Sequence, residues 1–116
     1  VLPVSITRPF NYTGPGQSEA FVFGKITGAF RRRDAILTLG NIDVARDVSD
    51  VRDVCEVYWQ LLQRRTDGVP INICSGRAVE LRRAIAILAA QTGYCPRIEI
   101  DPALVRTNEI RSLVGD

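Results

Sequence analysis

Apolar residues recur along this chain in two rhythms, one of two residues and one of three to four, and together they predict an α/β arrangement. Val4-Ser5-Ile6-Thr7 alternates apolar and polar as a strand does, and the following Arg8-Pro9-Phe10-Asn11-Tyr12-Thr13-Gly14-Pro15-Gly16-Gln17 is dense in turn residues. Ser18 is expected to cap a helix with Glu19 in its first turn, because Val22, Phe23, Ile26, Ala29 and Phe30 follow at helical spacing. Arg31-Arg32-Arg33 then sit where a helix end favours positive charge.

Ile36-Leu37-Thr38-Leu39 predicts a strand stopped by Gly40-Asn41, and residues 44–48 another extended piece before Ser49 or Asp50 caps a second helix. That helix is expected to reach Arg65, with Val51, Val54, Cys55, Tyr58, Leu61 and Leu62 on its packed face and Asp67-Gly68 as its stop. Ile71-Asn72-Ile73-Cys74 predicts a strand and Ser75-Gly76 a turn, while Leu81, Ala84, Ile85, Leu88 and Ala89 line a third helix ended by Gly93. Arg97-Ile98-Glu99-Ile100 is the last strand, and from Pro102 onward the chain reads as loop with one short helix.

With 116 residues there is room for one domain, 1–116, with a modest core. The 46% hydrophobic and 24% charged composition is that of an ordinary soluble protein, and no apolar run approaches the roughly 18 residues of a membrane span. Cys55, Cys74 and Cys95 are odd in number, widely spaced and match no zinc pattern, so they read as small buried residues of a reduced, cytoplasmic protein. Val1-Leu2-Pro3-Val4 carries neither the features of a signal peptide nor an initiator methionine, so the chain reads as beginning in mid-protein.

Candidate chemistry is constrained first by what is missing. The sequence has no histidine, which removes Ser/His/Asp and Cys/His nucleophilic catalysis and histidine-ligated metals; no metal site is expected. Gly14-Pro15-Gly16 lies between a strand and a helix, but the third glycine of a dinucleotide fingerprint is replaced by Glu19, and no Gly-Lys-Ser/Thr follows. A net charge of +2 and 7% aromatic residues argue against nucleic acid, although Arg31-Arg32-Arg33 and Arg82-Arg83 are local clusters. Asn11, Lys25, Arg46, Arg106 and Glu109 sit at the ends of apolar elements, where side chains project into clefts; taken singly, each reads as surface.

Three segments group these residues. Residues 8–17, the run Leu39-Gly40-Asn41-Ile42-Asp43-Val44-Ala45-Arg46-Asp47-Val48-Ser49-Asp50-Val51-Arg52-Asp53, and Pro102-Ala103-Leu104-Val105-Arg106-Thr107-Asn108-Glu109-Ile110 resemble, in order and spacing, segments of the extended short-chain dehydrogenases/reductases that act on nucleotide sugars. The resemblance covers essentially the whole chain, and it is nearest to members acting on GDP-sugars. It implies an α/β fold forming the C-terminal, substrate-binding portion of such an enzyme, with strands at residues 4–7 and 71–74 that would join the parent Rossmann sheet.

The same resemblance implies a set of roles. Asn11 would contact the diphosphate of a GDP-sugar, and the Pro9-Phe10 backbone would lie near the nicotinamide of NAD(P). Lys25 would sit beside guanine, Gly40 and Asn41 would line the nucleoside pocket, Arg46 and Arg106 would clamp the diphosphate or ribose, and Glu109 would accept a ribose hydroxyl. Planar paired donors suit a diphosphate, and a carboxylate suits ribose hydroxyls. The family's glycine-rich cofactor turn and Tyr-x-x-x-Lys pair are not in this sequence: Tyr12, Tyr58 and Tyr94 are followed four residues on by Gly16, Leu62 and Ile98. Catalysis and cofactor binding are therefore expected to need an N-terminal cofactor domain that this chain lacks. The alternative reading is a non-catalytic module that self-associates through exposed sheet edges.

Overall fold

The computed structural model describes residues 3–64, 66 and 68–116; the expected helix end at Arg65 and the Asp67 half of its stop signal lie outside the described residues. The elements are β1 (Thr7–Pro9), β2 (Asn11–Thr13), α1 (Val22–Arg32), β3 (Ile36–Leu39), β4 (Ala45–Asp50), α2 (Val51–Leu62), β5 (Ile71–Ile73), β6 (Ala78–Glu80), α3 (Leu81–Thr92), β7 (Arg97–Ile100) and β8 (Ser112–Leu113), with a 3-10 turn at Pro102–Leu104. The strands form three small groups. β1 pairs with β5 and β3 with β7, both parallel, while β4 carries β2 and β8 in parallel and β6 antiparallel.

The core lies under α1. Its residues Ile26, Ala29 and Phe30 pack with Leu37 and Leu39 of β3, with Ile42 and Val44, and with Leu81 and Ile85 of α3. The three-and-four spacing places these α1 side chains on one stripe, and β3 turns alternate residues toward it. The entry to α1 differs from expectation. The helix starts at Val22 with no side-chain cap, and Ser18 Oγ instead accepts from Ala20 N at 3.2 Å. Residues 17–20 run back across α1, over the missing side chains of Gly24 and Gly28, and Glu19 pairs with Arg32 at the far end. A strap occupies the place of the expected first turn.

At the other end, Arg33 takes a left-handed conformation, φ 57°, that a non-glycine residue seldom adopts. Its N–H donates to Phe30 O and the N–H of Asp34 to Ala29 O, closing the helix. Tyr94 holds the turn from outside: its hydroxyl donates to the carbonyls of Arg33 and Asp34, and the Arg33 guanidinium lies 5.7 Å from the centre of its ring.

Asp50, one of the two expected caps, accepts from Arg52 N at 2.9 Å at the start of α2. The Arg52 guanidinium and this amide hold its carboxyl at about 2. The β1 strand begins three residues later than the alternation suggests, so residues 4–6 lie outside the ladder; the Ile6 carbonyl accepts from Ile71 N, and the Ser5 and Thr66 hydroxyls hydrogen-bond at 2.7 Å. β6 and β8 carry no sequence signal. They are three and two residues long, too short for a period to register, and exist because β4 offers both its edges.

Cysteine placement overturns one expectation: Cys55 and Cys95 are exposed and Cys74 is half-buried. The packed face expected of α2 is likewise mostly uncovered. Only Val54 is buried, while Tyr58, Trp59 and Leu62 face outward, because none of the described residues lies over them. The molecule is correspondingly open. Its radius of gyration is 16.8 Å, against about 13 Å for a compact domain of this length. Its accessible surface is 8378 Å², about a third above the roughly 6,300 Å² expected for its mass. Among the described residues no helix is long and apolar enough to cross a membrane.

Stability should therefore depend on the α1 side of the molecule. Ile26→Ala is expected to cost about 2 to 5 kcal/mol through cavity formation, and Leu62→Ser, at a side chain 81% exposed, less than about 0.5 kcal/mol. Urea unfolding followed by circular dichroism measures both.

Candidate functional site

An open groove of about 470 Å³ is lined by Arg8, Pro9, Phe10, Asn11, Asn72 and Leu113. Its walls come from strands belonging to two separate sheets. Arg8 stands opposite Asn72 in the β1–β5 pair, Asn11 opposite Val48 in the β2–β4 pair, and Leu113 opposite Arg46 in the β4–β8 pair. Phe10 is the joint between the sheets, its N–H donating to Ile73 O at 2.9 Å. Proline at β1's last position commits no N–H to the ladder.

Beside the groove, β4 carries Arg46. Its Nη1 donates to Ala45 O at 2.9 Å and to Ile110 O at 2.7 Å, and its Nη2 makes a long 3.4 Å contact with Glu109 Oε1. Both side chains are 18% exposed. Two features of this pair ask for a further partner. Glu109 Oε2 is buried and finds no donor among the described residues, and the Nε–H and second Nη2 hydrogen of Arg46 have no acceptor there. A buried acceptor without a donor is costly, and a neighbouring fork of charged donors suits an anionic oxygen.

On the opposite face of the same strand, Asp47 is fully buried. Ser75 N and Ser75 Oγ each donate to Oδ1 at 2.7 Å, while Gly76 N and Gly115 N donate to Oδ2 at 2.9 and 3.2 Å. Burial pushes this carboxyl up, but the Ser75 hydroxyl and the Ser75, Gly115 and Gly76 amides outweigh it, so Asp47 titrates below its ordinary 3.8. Gly115 must lack a side chain here, since a Cβ would come within 2.5 Å of Cys74 and 3.0 Å of the Phe10 ring.

The structure gathers some of the sequence-predicted residues and leaves others apart. Pro9, Phe10 and Asn11 share the groove, and Arg46 and Glu109 meet beside it. Gly40 packs against the backbone of the 3-10 turn, where a Cβ would lie 2.5 Å from Leu104 O, and so abuts the segment that carries Arg106. Arg106 is exposed and its side chain makes no hydrogen bond among the described residues. Asn41 spends its side-chain oxygen on Asp43 N at 2.9 Å, and Lys25 is half-buried on α1. Arg8, Asp47, Asn72, Ser75 and Leu113 were not singled out by sequence. Asp47 had a signal: it follows Arg46 on a strand, so the two must face opposite ways, one of them inward.

Pro9 and Phe10 fit one part of a dinucleotide cofactor, a largely apolar wall for the edge of a planar ring. They offer no donors for its phosphates. Among the described residues no cluster of three or more histidine, cysteine or acidic side chains could hold a metal ion.

The sign of the Asp47 titration gives a test. Its folded carboxyl titrates below the unfolded value, so the stability it contributes is present above about pH 4 and is lost as the pH falls through the lowered value. Asp47→Asn should lower stability at neutral pH by about 3 kcal/mol. Thermal melts between pH 5 and pH 2 should then fall less steeply for the variant than for the wild type.

Known proteins resemble this chain over nearly its whole length. The family model described as GDP-mannose 4,6 dehydratase matches residues 1–116. GDP-6-deoxy-D-mannose reductase of Pseudomonas aeruginosa is 37% identical over 117 residues, covering 97% of this chain and 38% of the relative. GDP-6-deoxy-D-talose 4-dehydrogenase of Aggregatibacter actinomycetemcomitans is 30% identical over 113 residues with the same coverage of each. Among solved structures, RMD from Pseudomonas aeruginosa complexed with NADPH superposes with a TM-score of 0.83 at 35% identity, over 98% of this chain and 39% of that one. The chain thus spans under two-fifths of the length of these relatives, and its mixed sheets and helices are those of an extended short-chain dehydrogenase. It belongs to the GDP-mannose 4,6-dehydratase family.

Proposed function

We propose that this chain is the GDP-sugar-binding part of an NAD(P)-dependent GDP-4-keto-6-deoxymannose reductase or GDP-mannose 4,6-dehydratase, and that it is inactive alone. The observation that carries this reading is the pair Arg46 and Glu109. A buried carboxylate oxygen without a donor among the described residues, next to arginine donors without acceptors among them, asks for a ligand offering a hydroxyl and an anionic oxygen a few ångströms apart. A ribose attached to a diphosphate has both. Asn11 stands opposite Val48, two residues along β4 from Arg46, within about 7 Å along the strand, and can add a neutral donor to the same diphosphate. Arg106, Gly40, Asn41 and Lys25 complete the nucleoside side in this proposal, with Lys25 next to guanine.

Pro9 and Phe10 would form the wall between this ligand and the cofactor, which supplies hydride chemistry when bound. The rest of the catalytic apparatus would come from a cofactor domain. The sequence's one lysine, Lys25, follows Phe21 at four residues' distance rather than a tyrosine, so this chain offers no lysine-assisted tyrosine acid. The surplus of accessible surface and the uncovered Tyr58, Trp59 and Leu62 support a large apolar contact with such a domain. The exposed edges of the two-stranded β1–β5 and β3–β7 sheets support a second reading, a non-catalytic module that self-associates, which light scattering at rising concentration tests directly.

Calorimetry tests the nucleotide reading. GDP should bind more tightly than UDP and GDP-sugars more tightly than free sugars, with Arg46→Ala weakening GDP about tenfold or more. Glu109→Gln should narrow the difference between GDP and its 2′,3′-dideoxy analogue. Equal affinity for GDP and UDP in the folded protein would sink the assignment.

A further inference from the structure

The Arg46–Asp47 pair does more than present one arginine to a ligand. Successive strand residues point to opposite faces, so these neighbours reach out of β4 in opposite directions. Both reach the same segment, residues 109–115. Arg46 takes the Ile110 carbonyl and Glu109 on one face, and Asp47 takes the Gly115 amide on the other. Between these points the segment pairs with β4 as β8, and Ala45 N donates to Arg111 O at 2.7 Å. Two residues of ladder make a weak attachment, and the side-chain contacts fix both of its ends.

Asp47 also ties together two walls of the groove, which meet besides at the chain's last residue, where Asn72 Nδ2 donates to Asp116 Oδ1 at 3.3 Å and Cys74 Sγ to Asp116 O at 3.9 Å. Leu113 belongs to the stapled segment, and Asn72 lies in β5, just before the Ser75–Gly76 turn whose amides and hydroxyl Asp47 accepts. β5 pairs with β1 and has no ladder to β4, so among the described residues Asp47 is the side-chain link between β4 and the outlet of β5. The third wall, Pro9 to Asn11, is already tied to β4 by β2.

We propose that Asp47 is a positioning residue: it holds the segment 109–115 and the Ser75–Gly76 turn at a fixed separation, setting the width of the groove and the placement of Glu109 beside Arg46. The consequence for ligand binding rests on the nucleotide reading above, whereas the consequence for the segment does not. Asp47 itself, facing away from Arg46, is a positioning residue and touches no ligand.

The experiment is peptide-resolved amide hydrogen exchange on the intact polypeptide, with GDP titrated by calorimetry on the same samples. Asp47→Asn should speed exchange in residues 109–115 and 74–77 by about tenfold or more beyond any change in α1 and α3, which share only the general loss of stability. GDP should bind about fivefold more weakly, and Ser75→Ala, which removes one donor and no carboxylate, should shift both readouts the same way by about twofold. Unchanged exchange in 109–115 overturns the proposal. So does faster exchange spread equally over α1 and α3, which marks a role in global stability only. So does a loosened segment with undiminished GDP affinity. If the wild type binds no GDP, the nucleotide reading fails by itself, and the exchange contrast between 109–115 and the two helices still decides whether Asp47 positions the segment.

Discussion

A carboxylate shut away from water must be surrounded by donors or take up a proton, and Asp47 resolves the choice with four hydrogen bonds from three residues. Those donors belong to a turn after β5 and to a segment some seventy positions further along than Asp47, so satisfying one charge also closes two long loops. β4 is the strand on which this happens. It carries ladders to β2, β6 and β8, leads directly into α2, and bears Arg46 on its other face. The groove and the Arg46–Glu109 pair both follow from where this strand stands.

The other half of the molecule is organised by apolar burial. α1 and α3 press on β3 and β7, and a glycine face on α1 lets residues 17–20 cross it closely. Between these two regions the chain remains elongated, and much of α2 has no cover. Parallel strands are normally buried on both faces, and here two of the three groups are pairs. The chain spans under two-fifths of its relatives' length.

Legibility in the sequence followed element length and periodicity. β3 and β7 stand at the residues their alternation predicts, and α3 runs from Leu81 to its expected glycine stop because its apolar spacing extends over twelve residues. Ser18 misled because an N-cap signature is local, whereas the competing interaction, Glu19 with Arg32 across Gly28, is thirteen residues away in sequence. The cysteines misled because composition cannot show which faces stay uncovered. In the site, Arg46, Asn11 and Glu109 were visible only through family resemblance, since single polar residues at element ends look alike from sequence.

The sequence by itself determined the α/β class, three helices, the exclusion of histidine chemistry and the kinship with nucleotide-sugar enzymes, because periodicity, composition and ordered motifs are properties of the linear chain. Only the tertiary structure decided that Arg46 and Glu109 face each other with unmet hydrogen-bonding capacity, that Asp47 is a buried junction, and that β8 exists at all. Each of these depends on segments dozens of residues apart arriving at one strand, and charge satisfaction at such a meeting point is a property of the assembled surroundings, which no local pattern encodes.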